Sequence, residues 1–169
     1  MVHKELYLIR HGIAVEPEGW PTDETRPLTK EGDRKTRKIA ERLLELNLHF
    51  NLILTSPLTR AQATAQILQT TGLSPKIEQF AALAPDGNIQ EWLDWYQEWH
   101  LSGETHLALV GHQPDLANWA EILLWGKTRN TLILKKAGII GLILPETGSP
   151  VDRSQMFWLT PPKYLLPST

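Results

Sequence analysis

The sequence predicts an α/β fold, a three-layer sandwich with a mostly parallel central sheet, helices on both faces and antiparallel strands added near the C-terminus. Up to about residue 125, short apolar strand-like runs alternate with amphipathic helical segments, the order that builds a parallel sheet covered on both sides. Beyond that point strand-like runs follow one another across short turns, which is typical of antiparallel strands. Because no linker, repeat or low-complexity tract interrupts this order, residues 1–169 are predicted to form a single domain.

The N-terminal segment supplies the first strand and the first helix. "ELYLIR" (5–10) has an apolar centre of strand length, and a loop bearing proline and glycine follows it through Pro27. Thr29 can then cap a helix over about residues 29–46, because its side-chain oxygen can accept a hydrogen bond from a free backbone N–H of the first turn. The apolar residues of this helix share one face: Ile39, Leu43 and Leu46.

The next segment predicts a second strand, a second helix and a weaker third strand. "NLILTS" (51–56) is the second strand. Pro57 suits the first turn of a helix running to about Thr71, where the missing N–H of proline would have no partner anyway. Gly72 ends that helix, and "KIEQF" (76–80) is the weaker strand. The helix has an apolar stripe formed by Leu58, Ala61, Ala65 and Leu68.

The remaining elements follow from the same patterns. Apolar residues at helical spacing predict a helix from Ile89 to His100, and "THLALVG" (105–111) is a clear strand. Pro114 opens a further helix, one side of which carries Leu116, Ala120, Leu123 and Leu124. The tail is interpreted as three strands: "TLILKK" (131–136), "GIIGLIL" (138–144) and "QMFWLT" (155–160).

Composition excludes several classes of function. The chain has 17 Lys and Arg against 19 Asp and Glu, so its formal charge of −2 gives no general basis for binding nucleic acid or an anionic membrane. The absence of cysteine excludes disulfides, thiolate catalysis and cysteine-based zinc sites. The N-terminus lacks a secretory signal pattern, and no stretch approaches the roughly 18 apolar residues that span a bilayer. The expectation is a soluble cytoplasmic protein.

Cationic and imidazole side chains follow three of the predicted parallel strands. The first strand ends in Arg10–His11–Gly12, the second is followed by "TSPLTRAQATA" with Arg60 in the first helical turn, and the strand at 105–110 is followed by Gly111 and His112. Each signal is weak alone, since such residues are common in turns and on surfaces. Ligands of open α/β sheets bind beyond the carboxyl ends of the strands. We therefore expect Arg10, His11, Arg60 and His112 to meet at one sheet edge.

This set of side chains fits phosphoryl transfer. Two guanidiniums held close together favour an anion between them, and their planar fork matches phosphate oxygens. Histidine can take a phosphoryl group on an unprotonated ring nitrogen when its other nitrogen is held by an acceptor. His112, if protonated, would be a further hydrogen-bond donor to the phosphate. With no cysteine and no carboxylate cluster, neither a metal site nor another cofactor is expected.

Four stretches together resemble the histidine phosphatase superfamily: "LIRHGIA", "RPLTKEGDRKTRKIAERL", "LTSPLTRAQATAQIL" and "LVGHQPDLANWAEIL". The short chain and the "RPLT" after a brief loop look most like its SixA-type phosphohistidine phosphatase branch. The resemblance implies a metal-free enzyme with a phosphohistidine intermediate on His11. It also implies that Arg10 and Arg60 clamp the phosphoryl group, with His112 as the second histidine holding it. Arg26, in "TRPLT", resembles a supplementary phosphate contact, and a role in loop packing is the alternative.

The sequence departs from the superfamily at the general acid. Ala84 stands where many members place a glutamate, and the nearby Asp86 precedes glycine as an ordinary turn residue does. Asp23 and Glu24, in the loop before Arg26, are the other weak candidates, with solvated loop charges as the alternative interpretation. A phosphohistidine substrate can expel a neutral imidazole and has less need of a strong acid than an alkoxide leaving group. The departure thus favours phosphohistidine over sugar phosphates.

The predicted function is removal of phosphoryl groups from protein phosphohistidine, for example on a histidine-phosphotransfer domain. This substrate is implied by the resemblance. One alternative is a phosphatase for small phosphate esters, in which Asp86 would donate a proton. Another is a phosphoprotein-binding module without turnover, although such a module has no need of a nucleophile. Trp92, Trp95 and Trp99 in one helix predict core packing, with a protein-docking surface as the alternative.

Overall fold

The computed structural model describes residues 3–167 and places six strands in one sheet. Their spatial order is β3-β2-β4-β1-β5-β6, in which β1 to β4 are parallel to one another, β5 is antiparallel to β1 and β6 is antiparallel to β5. The predicted α/β architecture with antiparallel C-terminal strands is confirmed. In chain order the strands are β1 (Lys4–Arg10), β2 (Leu52–Thr55), β3 (Ile77–Gln79), β4 (His106–Gly111), β5 (Ile139–Leu144) and β6 (Gln155–Thr160).

In the described part of the chain, four α-helices cover the two faces of the sheet: α1 (Lys30–Glu45), α2 (Thr59–Thr71), α3 (Ile89–Trp99) and α4 (Asp115–Trp125). Short 3-10 turns lie in the connecting segments, and one of them, Asp23–Thr25, precedes α1. Within residues 3–167, no helix combines the length and the apolar character that crossing a bilayer requires.

The ends of α1 and α2 lie close to where the sequence predicts them. Thr29 caps α1 by accepting a hydrogen bond from the Gly32 amide at 2.9 Å. Gly72 ends α2 with a φ of 110°, a conformation that favours glycine. The predicted start of α2 is slightly wrong, because Pro57 lies outside the helix and Leu58 is its N-cap.

The sheet separates two hydrophobic cores, as the period of two along a strand requires. Leu6 and Leu8 of β1 point into the core beneath α3 and α4, whereas Tyr7 and Ile9 point into the core beneath α1 and α2. All four side chains are almost completely buried. β1 is therefore fixed from both faces, and its carboxyl end reaches the sheet edge in one defined orientation.

The tryptophans of α3 pack as core residues, as predicted. Trp92 is fully buried, with its ring 6.4 Å from that of Trp119 on α4. Trp99 is also buried, and Trp95 packs edge-on against Phe80 at the margin of the same core. This aromatic packing fixes α3 to the sheet face.

The predicted strand at residues 131–136 is wrong, because this segment is irregular. The buried carboxylate of Glu121 on α4 accepts hydrogen bonds from the backbone amides of Arg129, Asn130, Thr131 and Leu132. Those of Thr131 and Leu132 cannot also enter a strand ladder. The apolar pattern of "TLILKK" therefore reflects partial burial without strand pairing.

Candidate active site

The carboxyl ends of the parallel strands open into a cavity of about 270 Å³. We call it the strand-end pocket, and all five sequence-predicted site residues line it: Arg10, His11, Arg26, Arg60 and His112. β1 delivers Arg10 and His11, α2 contributes Arg60, and His112 follows β4. The expected meeting of three remote segments at one sheet edge is therefore observed.

His11 is held as a neutral imidazole with one nitrogen engaged. Its side chain is buried, and its Nδ1 lies 2.7 Å from the carbonyl oxygen of Gly12. Burial lowers the pKa of His11 to about 3; the bond to Gly12 opposes this shift, while His112, Arg60 and Arg10 reinforce it. A neutral ring that donates Nδ1–H to a carbonyl leaves a lone pair on Nε2. His11 thus has the state that a nucleophile requires.

Two glycines allow the close packing beneath this ring. A Cβ at Gly12 would overlap the hydroxyl of Thr36, which is buried on α1. A Cβ at Gly32, in the first turn of α1, would overlap the carbonyl of Ile13. The first turns of α1 therefore form a closely fitted support for the Arg–His–Gly turn.

Arg10 and Arg60 are each held on one side and unpaired on another. Arg10 donates from Nη1 to the Leu134 carbonyl at 3.0 Å, and Arg60 donates from Nη1 to the Asp23 carbonyl at 2.8 Å. The Nε atoms of both arginines are buried and have no hydrogen-bond partner among the residues that the structure describes. Burial lowers the pKa of both guanidiniums, yet arginine keeps its charge at any ordinary pH. Both arginines line the strand-end pocket and bring two positive charges to it.

His112 is fixed by Ser56 at the end of β2. The Ser56 hydroxyl accepts a hydrogen bond from the Leu58 amide at 3.1 Å and lies 2.8 Å from Nε2 of His112. No other acceptor for the serine proton lies within residues 3–167, so we assign that proton to a hydrogen bond with Nε2, which places the imidazole proton on Nδ1. Nδ1 is buried and has no partner within residues 3–167. His112 can therefore donate to an anion as a neutral ring.

Electrostatics keep His112 neutral in the absence of an anion. Burial lowers the pKa of His112 to about 4, and the charge of Arg60 contributes to the shift. The sequence predicts a protonated His112 ring as the hydrogen-bond donor to the phosphate. Because the contact with Ser56 places the proton of the neutral ring on Nδ1, this nitrogen can donate without a second ring proton. The sequence alone does not indicate this tautomer.

A comparison with known protein families identifies the family of this chain. The family model described as histidine phosphatase superfamily (branch 1) matches residues 6–104, more than half of the sequence, including Arg10, His11 and Arg60. The chain belongs to the histidine phosphatase superfamily. A protein described as uncharacterized, from Picosynechococcus sp. strain PCC 7002, is 46% identical to it over 167 residues, which cover 96% of this chain and 99% of that protein.

Solved structures share the fold of this superfamily member. The structure of the protein histidine phosphatase SixA complexed with tungstate has a TM-score of 0.82 at 23% identity, covering 96% of this chain and 99% of the other. The alpha-ribazole phosphatase from Shigella flexneri has a TM-score of 0.65 at 18% identity, covering 94% and 96% of the two chains. At these identities the comparison establishes the common architecture.

Arg26 lies in both of the environments that the sequence left open: it packs within its loop, and it lines the strand-end pocket. It donates to the Val15 carbonyl at 2.6 Å and to the Asp23 carboxylate at 2.9 Å, so it packs the loop before α1. It also lines the strand-end pocket beside Arg60. In this histidine phosphatase, loop packing thus holds Arg26 at the mouth of the pocket.

The three candidate acids, Asp86, Asp23 and Glu24, lie in different surroundings. Asp86 adopts a φ of 67° in a turn, where its amide donates to Asp115 at 2.8 Å, which matches the turn interpretation. The Asp23 carboxylate receives hydrogen bonds from both Arg26 and Arg60, and Glu24 is exposed in the same 3-10 turn. Although burial acts to raise it, the pKa of Asp23 is lowered by these arginines. Asp23 therefore serves as their counter-ion.

Two pocket residues have no marked signal in the sequence. Glu16 and Lys136 both line the strand-end pocket, one from the loop after β1 and the other from the irregular segment before β5. Among the described residues, no group of three or more histidine, cysteine, aspartate or glutamate side chains could hold a metal ion. Apart from Glu16, the charged and titratable side chains that line the pocket are cations and neutral imidazoles.

Proposed function

We propose that this chain is a metal-independent phosphatase that removes phosphoryl groups from protein phosphohistidine through an intermediate on His11. The observation that carries the proposal is the set of three buried nitrogens without partners: Nε of Arg10, Nε of Arg60 and Nδ1 of His112. All three side chains line the pocket that contains neutral His11. Unpartnered buried donors are costly, and a tetrahedral oxyanion would satisfy them together. The complex of SixA with tungstate, an oxyanion bound to a protein of this fold, supports the idea.

The reaction follows from the states of the two histidines. Nε2 of His11 attacks phosphorus with its lone pair while the bond between phosphorus and the substrate ring nitrogen breaks. Arg10, Arg60 and His112 donate to the equatorial oxygens, on which charge accumulates in the transition state. Water then attacks phosphorylated His11, which releases inorganic phosphate and restores the neutral ring. Each step exchanges one bond to phosphorus for another and needs no redox partner.

The placement of the acids supports phosphohistidine as the substrate. A phosphohistidine that is protonated on its other ring nitrogen leaves as a neutral imidazole and needs no strong donor. Asp86 lies in a turn, and Pro85 rather than Asp86 lines the pocket. Asp23 is engaged by two arginines. Glu24 does not line the pocket, so none of the three acids weighed from the sequence is free there to protonate an alkoxide.

Glu16 favours a second candidate, a phosphatase for small phosphate esters. Its side chain lines the strand-end pocket and could supply the proton that an ester leaving group needs. The Glu16→Gln variant separates the two functions. We expect it to leave hydrolysis of a phosphorylated histidine-phosphotransfer domain within about twofold of the parent rate, because no acid is required there. A loss of about 100-fold on that substrate, together with faster turnover of esters by the parent, would favour the ester enzyme.

Trapping of the intermediate tests the proposal directly. The protein is incubated with a radiolabelled phosphoryl donor and quenched in alkali, in which phosphohistidine is stable. We expect label on the parent chain and on the His49→Ala control, because His49 is exposed and does not line the strand-end pocket. His11→Ala should carry none. Equal labelling of His11→Ala, or an unlabelled parent that still binds phosphoprotein, would contradict turnover through His11.

Arg60 offers a quantitative test of the clamp. Removing one charged donor from an oxyanion site costs about 3 kcal/mol of transition-state stabilisation, so Arg60→Ala should lower kcat/KM by about 100-fold. Steady-state kinetics measure the loss, with exposed Arg34→Ala as the matched control. A rate equal to that of the control would remove Arg60 from the reaction.

A further inference from the structure

A second cavity adjoins the strand-end pocket. It is a groove of about 830 Å³, roughly three times the volume of the strand-end pocket. We call it the lysine groove, because Lys35, Lys135, Lys136 and Lys163 line it. Arg10 and Lys136 line both cavities, so the groove lies directly beside the proposed catalytic site. A protein whose phosphoryl group lies in the pocket is large enough to contact the groove as well.

The groove has a strong local charge. Its lining includes four lysines and one arginine but no carboxylate, although the chain as a whole has a net charge of −2. Lys35 is paired with Glu31, which lies outside the lining. Within residues 3–167, Lys135, Lys136 and Lys163 have no carboxylate partner. Three free ammonium groups at one groove favour an acidic partner.

The groove also exposes apolar side chains. Ile133 is 68% exposed and Tyr164 is 74% exposed, and both line the groove. Leu159, Pro161 and Leu166 contribute further apolar lining. A groove lined by both exposed apolar side chains and lysines resembles a protein-binding surface, because phosphate esters and nucleic acid backbones offer little apolar area to such side chains.

We propose that the lysine groove docks the acidic surface that surrounds the phosphorylated histidine of a protein substrate. This inference rests on the proposed function and extends it, because it assigns recognition of the protein component to residues outside the strand-end pocket. The lysines attract the acidic side chains, and Ile133 and Tyr164 pack against the apolar residues of the partner. Long-range attraction of this kind acts mainly on association and weakens as salt is added.

The test uses the double variant Lys135→Glu/Lys163→Glu, since both lysines are exposed and neither lines the strand-end pocket. The control, Lys76→Glu/Lys127→Glu, makes the same change in charge at exposed positions outside the groove, next to edge strand β3 and after α4. Two substrates are compared: a histidine-phosphotransfer domain phosphorylated on histidine and acidic around it, and free phosphohistidine. Neither variant removes a residue assigned to the reaction.

We expect the groove variant to lose about tenfold or more in kcat/KM on the phosphorylated domain, mainly through KM, and to show a weaker salt dependence. Its turnover of free phosphohistidine should equal that of the parent, and the control should match the parent on both substrates. Equal turnover of the domain by the groove variant and the parent would overturn the docking proposal while leaving the proposed function intact. Tighter binding of a single-stranded RNA oligonucleotide than of the domain would also overturn it. If the parent hydrolyses neither the phosphorylated domain nor free phosphohistidine, the proposed function itself is refuted.

Discussion

Replacement of Glu121 by glutamine is expected to destabilise the fold far more than an ordinary Glu→Gln change. Oε1 of Glu121 accepts the amides of Arg129 and Asn130, and Oε2 accepts the amides of Thr131 and Leu132 and the Thr131 hydroxyl. A glutamine side chain turns one of these oxygens into a donor. In either orientation, at least two backbone N–H groups then face N–H groups and lose their acceptor.

The size of the effect can be worked out in two ways. Burial alone would raise the pKa of Glu121, but the bonds donated by Arg129, Leu132 and Thr131 outweigh it and lower the pKa from 4.5 to about 2. A shift of this size corresponds to about 3 kcal/mol of folding free energy at neutral pH. The loss of two hydrogen bonds to a charged group, at about 1.5 kcal/mol or more each, gives a similar figure. We therefore expect Glu121→Gln to lower the free energy of unfolding by about 3 kcal/mol.

The assay is chemical denaturation of Glu121→Gln at pH 7 and at several acidic values, with exposed Glu98→Gln as the control. The folded-state pKa of Glu121 is depressed, so its contribution is complete above pH 4.5 and is lost as the pH falls towards about 2. The difference between parent and variant should narrow across that range. The control should stay within about 0.5 kcal/mol of the parent. A difference of under about 1 kcal/mol at pH 7, or one that does not change with pH, would refute this reasoning.

Three further predictions concern the pocket. Because burial lowers the pKa values of His11 and His112 to about 3 and about 4, the NMR signals of neither ring should titrate as the pH falls from about 8 to 5, and an inflection near pH 6.5 on either ring would contradict these values. Ser56→Ala should lower kcat by about tenfold with a smaller change in KM, because His112 loses the contact that places its proton on Nδ1; an unchanged kcat would contradict that role. Gly32→Ala should cost about 1–3 kcal/mol in thermal unfolding, since its Cβ meets the Ile13 carbonyl, and an unchanged midpoint would show that α1 can move away.

Much of the fold could be predicted because its signals are local. The cap at Thr29 and the C-terminal Gly72 depend on the preferences of single residues, and both occupy the predicted roles. The meeting of His11 with Arg60 and His112 was predictable for a topological reason, since the carboxyl ends of neighbouring parallel strands share one edge. Predicting this meeting required only the alternation of strands and helices along the chain.

The remaining features depend on contacts between distant segments. The irregular course of residues 131–136 follows from the carboxylate of Glu121, and nothing in the pattern of "TLILKK" shows that its amides are already bound. The tautomer of His112 depends on Ser56, which is 56 positions away in the sequence. The position of Glu16 in the pocket depends on how the loop after β1 folds. Side-chain contacts of this kind leave no periodic signal in the sequence.

The position of β1 within the sheet has a consequence for the constancy of the site. β1 pairs with parallel β4 on one side and with antiparallel β5 on the other, so both of its backbone edges are bonded. A slip of one residue would break two ladders at once and would exchange Leu8 and Ile9 between the two cores. Fraying of the outer strands or of the surface loops leaves this register unchanged. His11 can therefore lose its alignment only when the centre of the domain itself unfolds.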